Sequence, residues 1–152
     1  MSFWKKPPST PSAPQAGSTP DVHLTPKQRG QRGEDAAVEM LAKRGYKVLE
    51  RNWRAGNALR GELDCIAWTR GPRGERVLAF IEVKTRRNNS QGAPQEAVTR
   101  SKQRQIARLA SAYVSTNRIE NTVCRFDVVE VWLEDSSPPI CKLHRNAFEY
   151  CE

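Results

Sequence analysis

Residues 77 to 81 read VLAFI, five apolar side chains in succession, and the chain then turns abruptly to Glu82-Val83-Lys84. A short apolar run of this kind, with turn signals before it and a polar segment after it, reads as a strand with no solvent face. Ending such a strand in an opposed charge pair is costly, because a buried carboxylate or ammonium needs a compensating partner. The fold must therefore bury one strand on both sides and also supply partners for Glu82 and Lys84 at its end.

The neighbouring segments say what surrounds that strand. GELDCIAW (61–68) precedes it, and TRGPRGE (69–75), with Gly71-Pro72 and Gly74, reads as the turn of a hairpin joining the two. YKVLERNW (46–53) is a further strand with imperfect alternation. Before it, Thr25-Pro26-Lys27-Gln28 has the form of a capping box with proline at the first helical position, opening a helix that carries Ala36, Ala37, Met40 and Leu41 and stops at Gly45. Gly30 and Gly33 weaken the first turns of that helix and call for a reason. After the polar loop RNNSQGAP, a helix is expected from near Pro94, with a break around Thr99 and an apolar stripe of Val98, Ile106, Leu109, Ala110, Tyr113 and Val114. RFDVVEVWLE (125–134) is a strand in which Asp127 needs a partner, Arg125 or a helix terminus, and CKLHRNAF (141–148) offers a last short one. The order αβββαβ, a hairpin followed by a helical crossover, specifies an α/β fold with a mixed sheet flanked by helices. Residues 1–24 hold five of the ten prolines with many Ser and Thr and read as a disordered tail, leaving 25–152 as a single domain.

Residues two apart on a strand share a face, so Glu82 and Lys84 project together, as do Glu62 and Asp64 on the preceding strand. A hairpin centred near residue 72 pairs positions summing to about 145, which brings Asp64 opposite or nearly opposite Glu82. Two convergent carboxylates repel unless a proton or a cation lies between them. Hard oxygen ligands of this kind suit Mg²⁺ or Mn²⁺, which keep several waters and bind substrate phosphates. A metal there polarises a phosphate and acidifies a water, and Lys84 can orient that water or stabilise the charge on the phosphate. Glu-x-Lys by itself has a plain alternative, a solvated ion pair worth ~0–1 kcal/mol. The apolar run before it and the acidic partner on the next strand separate this instance from that alternative.

Charge agrees with a phosphate-bearing partner. Lys and Arg number 25 against 17 Asp and Glu, a net charge of +8. Lys102, Arg86, Arg87 and Arg104, with Arg100 and Arg108, flank the proposed site and could contact nucleic-acid phosphates. The four cysteines form no C-x-x-C pair and the two histidines are far apart in sequence, which argues against structural zinc. Cys65 and Cys124 fall in apolar strands, as small buried side chains. No apolar run approaches the ~20 residues of a membrane span, and no apolar segment follows Lys5 and Lys6, so the expected location is the cytoplasm.

Asp64 followed by Glu82-x-Lys84 resembles the metal motif of the PD-(D/E)XK, or restriction-endonuclease-like, superfamily. GQRGEDAAVEMLAKRGYKVLERNWR, RGELDCIAW and FIEVKTRR together resemble the bacterial YraN family of predicted endonucleases, and EAVTRSKQRQIARLASAYV and RFDVVEV extend the likeness over about residues 28 to 148. The resemblance implies a restriction-endonuclease-like core and a Mg²⁺- or Mn²⁺-dependent endonuclease acting on DNA, on branched or damaged structures. It makes Asp64 and Glu82 metal ligands and Lys84 the catalytic lysine. Glu34 matches an acidic helix residue that supports the metal site in related Holliday-junction resolvases and is expected among the metal ligands and catalytic residues, and Glu62 is read as an assisting carboxylate of the G-E-x-D segment. Lys102 matches a lysine on the family's second helix. Leu63 stands where the superfamily motif has proline. A resolvase would need two sites and hence a homodimer. The alternative reading is a nucleic-acid-binding module that keeps the fold without turnover of its own.

Overall fold

The computed structural model describes residues 24–86, 98–134 and 137–150. Their elements are helix α1 (Pro26–Lys43), strands β1 (Lys47–Trp53), β2 (Leu63–Arg70) and β3 (Arg76–Arg86), helix α2 (Arg100–Thr116), and strands β4 (Val123–Trp132) and β5 (Ile140–Phe148). The strands form one sheet in the order β1-β2-β3-β4-β5. β3 and β4 run parallel and the other neighbours antiparallel, so the crossover that parallel neighbours require contains α2. This is a mixed α/β architecture consistent with a restriction-endonuclease-like core, and 141–148 does form the further strand.

The local signals act as read. The Thr25 hydroxyl accepts from the Gln28 N–H at 3.2 Å while Gln28 Oε1 accepts from the Thr25 N–H at 2.9 Å, and Pro26 opens α1. Gly45 leaves the helix in the left-handed region at φ 82°, where a side chain would be strained. α1 buries Ala37 and Leu41 on one face of the sheet, against Cys65, Ala67, Ala79, Ile81, Val129 and Val131. α2 covers the opposite face with Ile106, Leu109, Ala110 and Tyr113, against Leu63, Ile66, Leu78, Phe80, Phe126 and Val128. Leu78 and Phe80 therefore look toward α2 and Ala79 and Ile81 toward α1, which accounts for a run with no polar alternation.

α2 begins at Arg100 with Thr99 as its cap, where the break in the expected helix falls. The expected tail up to residue 23, the helix start near Pro94, and Arg87 lie outside the described residues. Cys65 is buried as expected, but Cys124 is exposed. It sits with Val123 at the start of β4, and neither belongs to the two packed clusters under the helices. Asp127 is fully buried and well partnered: it accepts from Arg125 Nε at 2.7 Å, the Tyr46 hydroxyl at 2.9 Å and the Asn146 N–H at 2.9 Å. Among the described residues no helix is long and apolar enough to cross a membrane.

Candidate active site

β2 and β3 pair Cys65 with Ile81, one step inside the acidic residues, so Asp64 and Glu82 are the next facing positions at the open end of the hairpin. Both project toward α2, in phase with Ile66 and Phe80. Asp64 Oδ2 accepts from the Val83 N–H at 2.8 Å, which anchors that carboxylate to the neighbouring strand. Glu82 is only 5% exposed. Lys84 Nζ lies 3.2 Å from Glu82 Oε1, and Lys102 Nζ reaches from α2 to within 3.6 Å of Oε2. That last separation is too long for a hydrogen bond, and Oε2 is a buried oxygen with no hydrogen-bond partner among the described residues. A carboxylate oxygen of this kind is expensive to leave unmet and marks a place for a missing partner.

Glu34 approaches from the other side of the sheet end. Its position depends on Gly33, a buried residue of α1 whose missing side chain lets the helix lie directly on Thr85 of β3; an added Cβ would collide with the Thr85 hydroxyl. This supplies the reason for a glycine in the early turns of α1. Glu34 accepts from Asn52 Nδ2 at 3.2 Å and lies 3.9 Å from Arg51. Asn52 takes the left-handed conformation at φ 51°, one asparagine tolerates better than most residues.

Burial, then the Glu82 charge, pushes the Asp64 carboxyl up to about 7; the Val83 N–H and the Lys102 ammonium oppose the shift, and Glu34 adds to it. Two facing carboxylates whose joint ionisation is resisted can be relieved by a proton or by a cation between them. Among the described residues no group of three or more His, Cys, Asp or Glu stands close enough to hold a metal. The carboxylates that face one another here are two, Asp64 and Glu82, and Glu34, expected as a further ligand, is not grouped with them. Such a pair fits Mg²⁺ or Mn²⁺, which bind through one or two carboxylates and fill the remaining positions with water and phosphate, and does not fit structural zinc.

The other expected residues are placed as follows. Glu62 precedes β2 and is held by Arg54 at 2.7 Å, an arrangement that ties it to the β1–β2 loop. Arg86 donates through Nε to Glu130 at 2.8 Å. Arg104 is exposed on α2, near Lys102 in a groove beside the site. Two residues escaped sequence reasoning. Glu130, 3% exposed, lies beside Lys84 in the parallel pair and binds both Arg86 and His144, the latter at 2.8 Å. Asn52 was overlooked as the partner of Glu34. Only Glu130 left a signal, an acidic residue inside the apolar run VVEVW.

The comparisons with known proteins bear on the same segments. A model of the uncharacterised protein family UPF0102 matches residues 33–131, a span that includes Glu34, Asp64, Glu82, Lys84 and Lys102. A UPF0102 protein of Pelobacter propionicus is 44% identical over 137 residues, covering 90% of this chain and 91% of the relative. One from Trichlorobacter lovleyi is 44% identical over 120 residues, covering 79% of this chain and 89% of the relative. UPF0102 protein STH1475 of Symbiobacterium thermophilum is 47% identical over 119 residues, covering 78% and 94%. With a match across most of the described fold and relatives similar over nearly their whole length, the chain belongs to the UPF0102 family.

Proposed function

We propose that this protein is a metal-dependent endonuclease of the PD-(D/E)XK type, of the kind the YraN resemblance implies, hydrolysing DNA phosphodiester bonds with branched or damaged DNA as its preferred substrate. The observation that carries the reading is the pair of half-buried Asp64 and buried Glu82 at a strand end, with a Glu82 oxygen that has no hydrogen-bond partner among the described residues and two ammonium groups beside it. A protein that only bound nucleic acid would gain nothing from carboxylates turned toward phosphates.

Asp64 and Glu82 would hold Mg²⁺ or Mn²⁺, and Glu34 would add negative charge from α1. When bound, such an ion neutralises phosphate charge and makes a water more acidic. The remaining work falls to the side chains. Asp64 must give up the proton that its surroundings favour near neutrality, so the competent state gains population as pH rises through about 7. Lys84, anchored on Glu82 Oε1 and 36% exposed, keeps donors for an attacking water or a phosphate oxygen. Lys102 balances the second Glu82 oxygen and offers charge to the phosphate that forms. In hydrolysis the water oxygen bonds to phosphorus as the P–O ester bond breaks, and the ester oxygen leaves with a proton. Rigidity of the sheet end sets the alignment, because both carboxylates stand on paired strands.

The test is cleavage of linear, flap and four-way-junction DNA in Mg²⁺ or Mn²⁺ by wild type, Asp64→Asn and Lys84→Ala. Cutting by wild type that both variants lose, and that chelation stops, is the expected result. Equal cutting by all three would reject the site, and salt-sensitive binding without any cutting would favour the binding module.

A further inference from the structure

A cavity of about 440 Å³ lies beside the carboxylate pair, between the β1–β2 loop and the first turns of α2, lined by Leu59, Arg60, Lys102, Arg104, Gln105 and Arg108, among others. We infer that this groove is the track on which one nucleic-acid strand lies as it approaches the Asp64–Glu82 site, its phosphates held by Arg60, Arg104 and Arg108.

Four observations support the track. The lining holds four cationic side chains and no carboxylate. The nearby acid of the loop, Glu62, is itself engaged by Arg54 at 2.7 Å. α2 has no acidic residue in its first turn, so the positive end of the helix dipole adds to the cationic wall instead of being offset. Arg104 and Arg108 are exposed and one turn apart, a step of about 6 Å along the helix, comparable to the spacing of successive phosphates on a strand.

The groove is also built as a fixed wall. Gln105 Nε2 donates to the Arg60 carbonyl at 3.1 Å, clamping the loop to α2. Gly61 adopts φ 101° under that same side chain, and a Cβ there would strike Gln105. Lys102 lines the groove and stands 3.6 Å from Glu82 Oε2, so the track ends at the carboxylates. The destination of the strand rests on the nuclease reading; binding in the groove does not.

The test separates the two. Binding of a labelled DNA duplex of about 20 base pairs is followed by fluorescence anisotropy in EDTA as salt is varied, for the full-length wild type, Arg104→Ala, Arg108→Ala, the Arg104→Ala/Arg108→Ala double variant and Arg73→Ala, with circular dichroism confirming the fold of each. Arg73 is an exposed cation at the β2–β3 turn and serves as the control. The expected result is a roughly tenfold or greater loss of affinity in the double variant and a fall of about 1 in the salt slope for each arginine removed, with Arg73→Ala unchanged. Wild-type affinity in the double variant, or an equal loss in Arg73→Ala, overturns the groove. Loss of binding in the groove variants together with undiminished cleavage by Asp64→Asn would leave the groove standing and overturn the nuclease site instead.

Discussion

Replacing Asp64 with asparagine should make the protein more stable while removing its proposed activity, and the gain should depend on pH. In the unfolded chain the Asp64 carboxyl titrates near 3.8; in the folded chain burial and Glu82 push it up to about 7. The folded state therefore holds a proton that the unfolded state has released, and stability contributed by the protonated group is fully present below about 4 and lost as pH rises through 7. At about 1.4 kcal/mol per tenfold change in proton affinity, the gap sets a ceiling of about 4 kcal/mol above neutrality. Adjustment of Lys84 and Lys102 around the charged pair reduces this, and about 2 kcal/mol is the expected gain for Asn, which keeps an acceptor for the Val83 N–H. For a chain of this size that corresponds to a midpoint roughly 4–10 °C higher. Thermal unfolding of wild type and Asp64→Asn at pH 4, 6 and 8 in EDTA measures it. The curves should coincide at pH 4 and diverge progressively to pH 8. A variant less stable than wild type at pH 8, or a difference independent of pH, would refute the reasoning.

Further outcomes follow from particular contacts. Gly33→Ala should lower the urea midpoint by an amount equivalent to about 1–3 kcal/mol, because the new methyl meets the Thr85 hydroxyl, and adding Thr85→Ala should recover part of the loss. Glu130→Ala should destabilise by roughly 3 kcal/mol in the same measurement, since it strands Arg86 and His144 around an empty position. Lys84→Ala should destabilise by about 1–3 kcal/mol, because it takes the nearest cation from the buried Glu82 carboxylate, and should reduce cleavage at least ~100-fold under conditions where the variant is fully folded; cleavage lost only where the variant unfolds would make the lysine structural.

What could be read from the sequence was what local chemistry decides. Thr25 and Gln28 cap α1 through bonds three residues apart, and the turn at 71–74 sets a hairpin register whose pairs sum to 146, within one of the expected value. The facing of Asp64 and Glu82 follows from that register alone. Contacts across a crossover were not legible. Lys102 was expected to meet phosphate, and only the seating of α2 over β3 shows it also reaching Glu82. The Glu130–Arg86–His144 cluster needs the parallel β3–β4 register and the β5 return together, which no segment specifies by itself. Glu62 shares a strand phase with Asp64, but Arg54 in the adjoining loop offers it a nearer partner. Gly33 showed as an anomaly in a helix, and its explanation lay 52 positions away at Thr85.

The central claim is that Asp64 and Glu82 hold one divalent cation between them. Electron paramagnetic resonance of added Mn²⁺ near pH 7.5 reports bound and free ion directly, without reference to any substrate. Wild type should bind a single ion per chain, Asp64→Asn and Glu82→Gln should lose it, and Glu62→Gln, whose carboxylate Arg54 already occupies, should keep it. Undiminished Mn²⁺ binding by Asp64→Asn and Glu82→Gln would contradict the account.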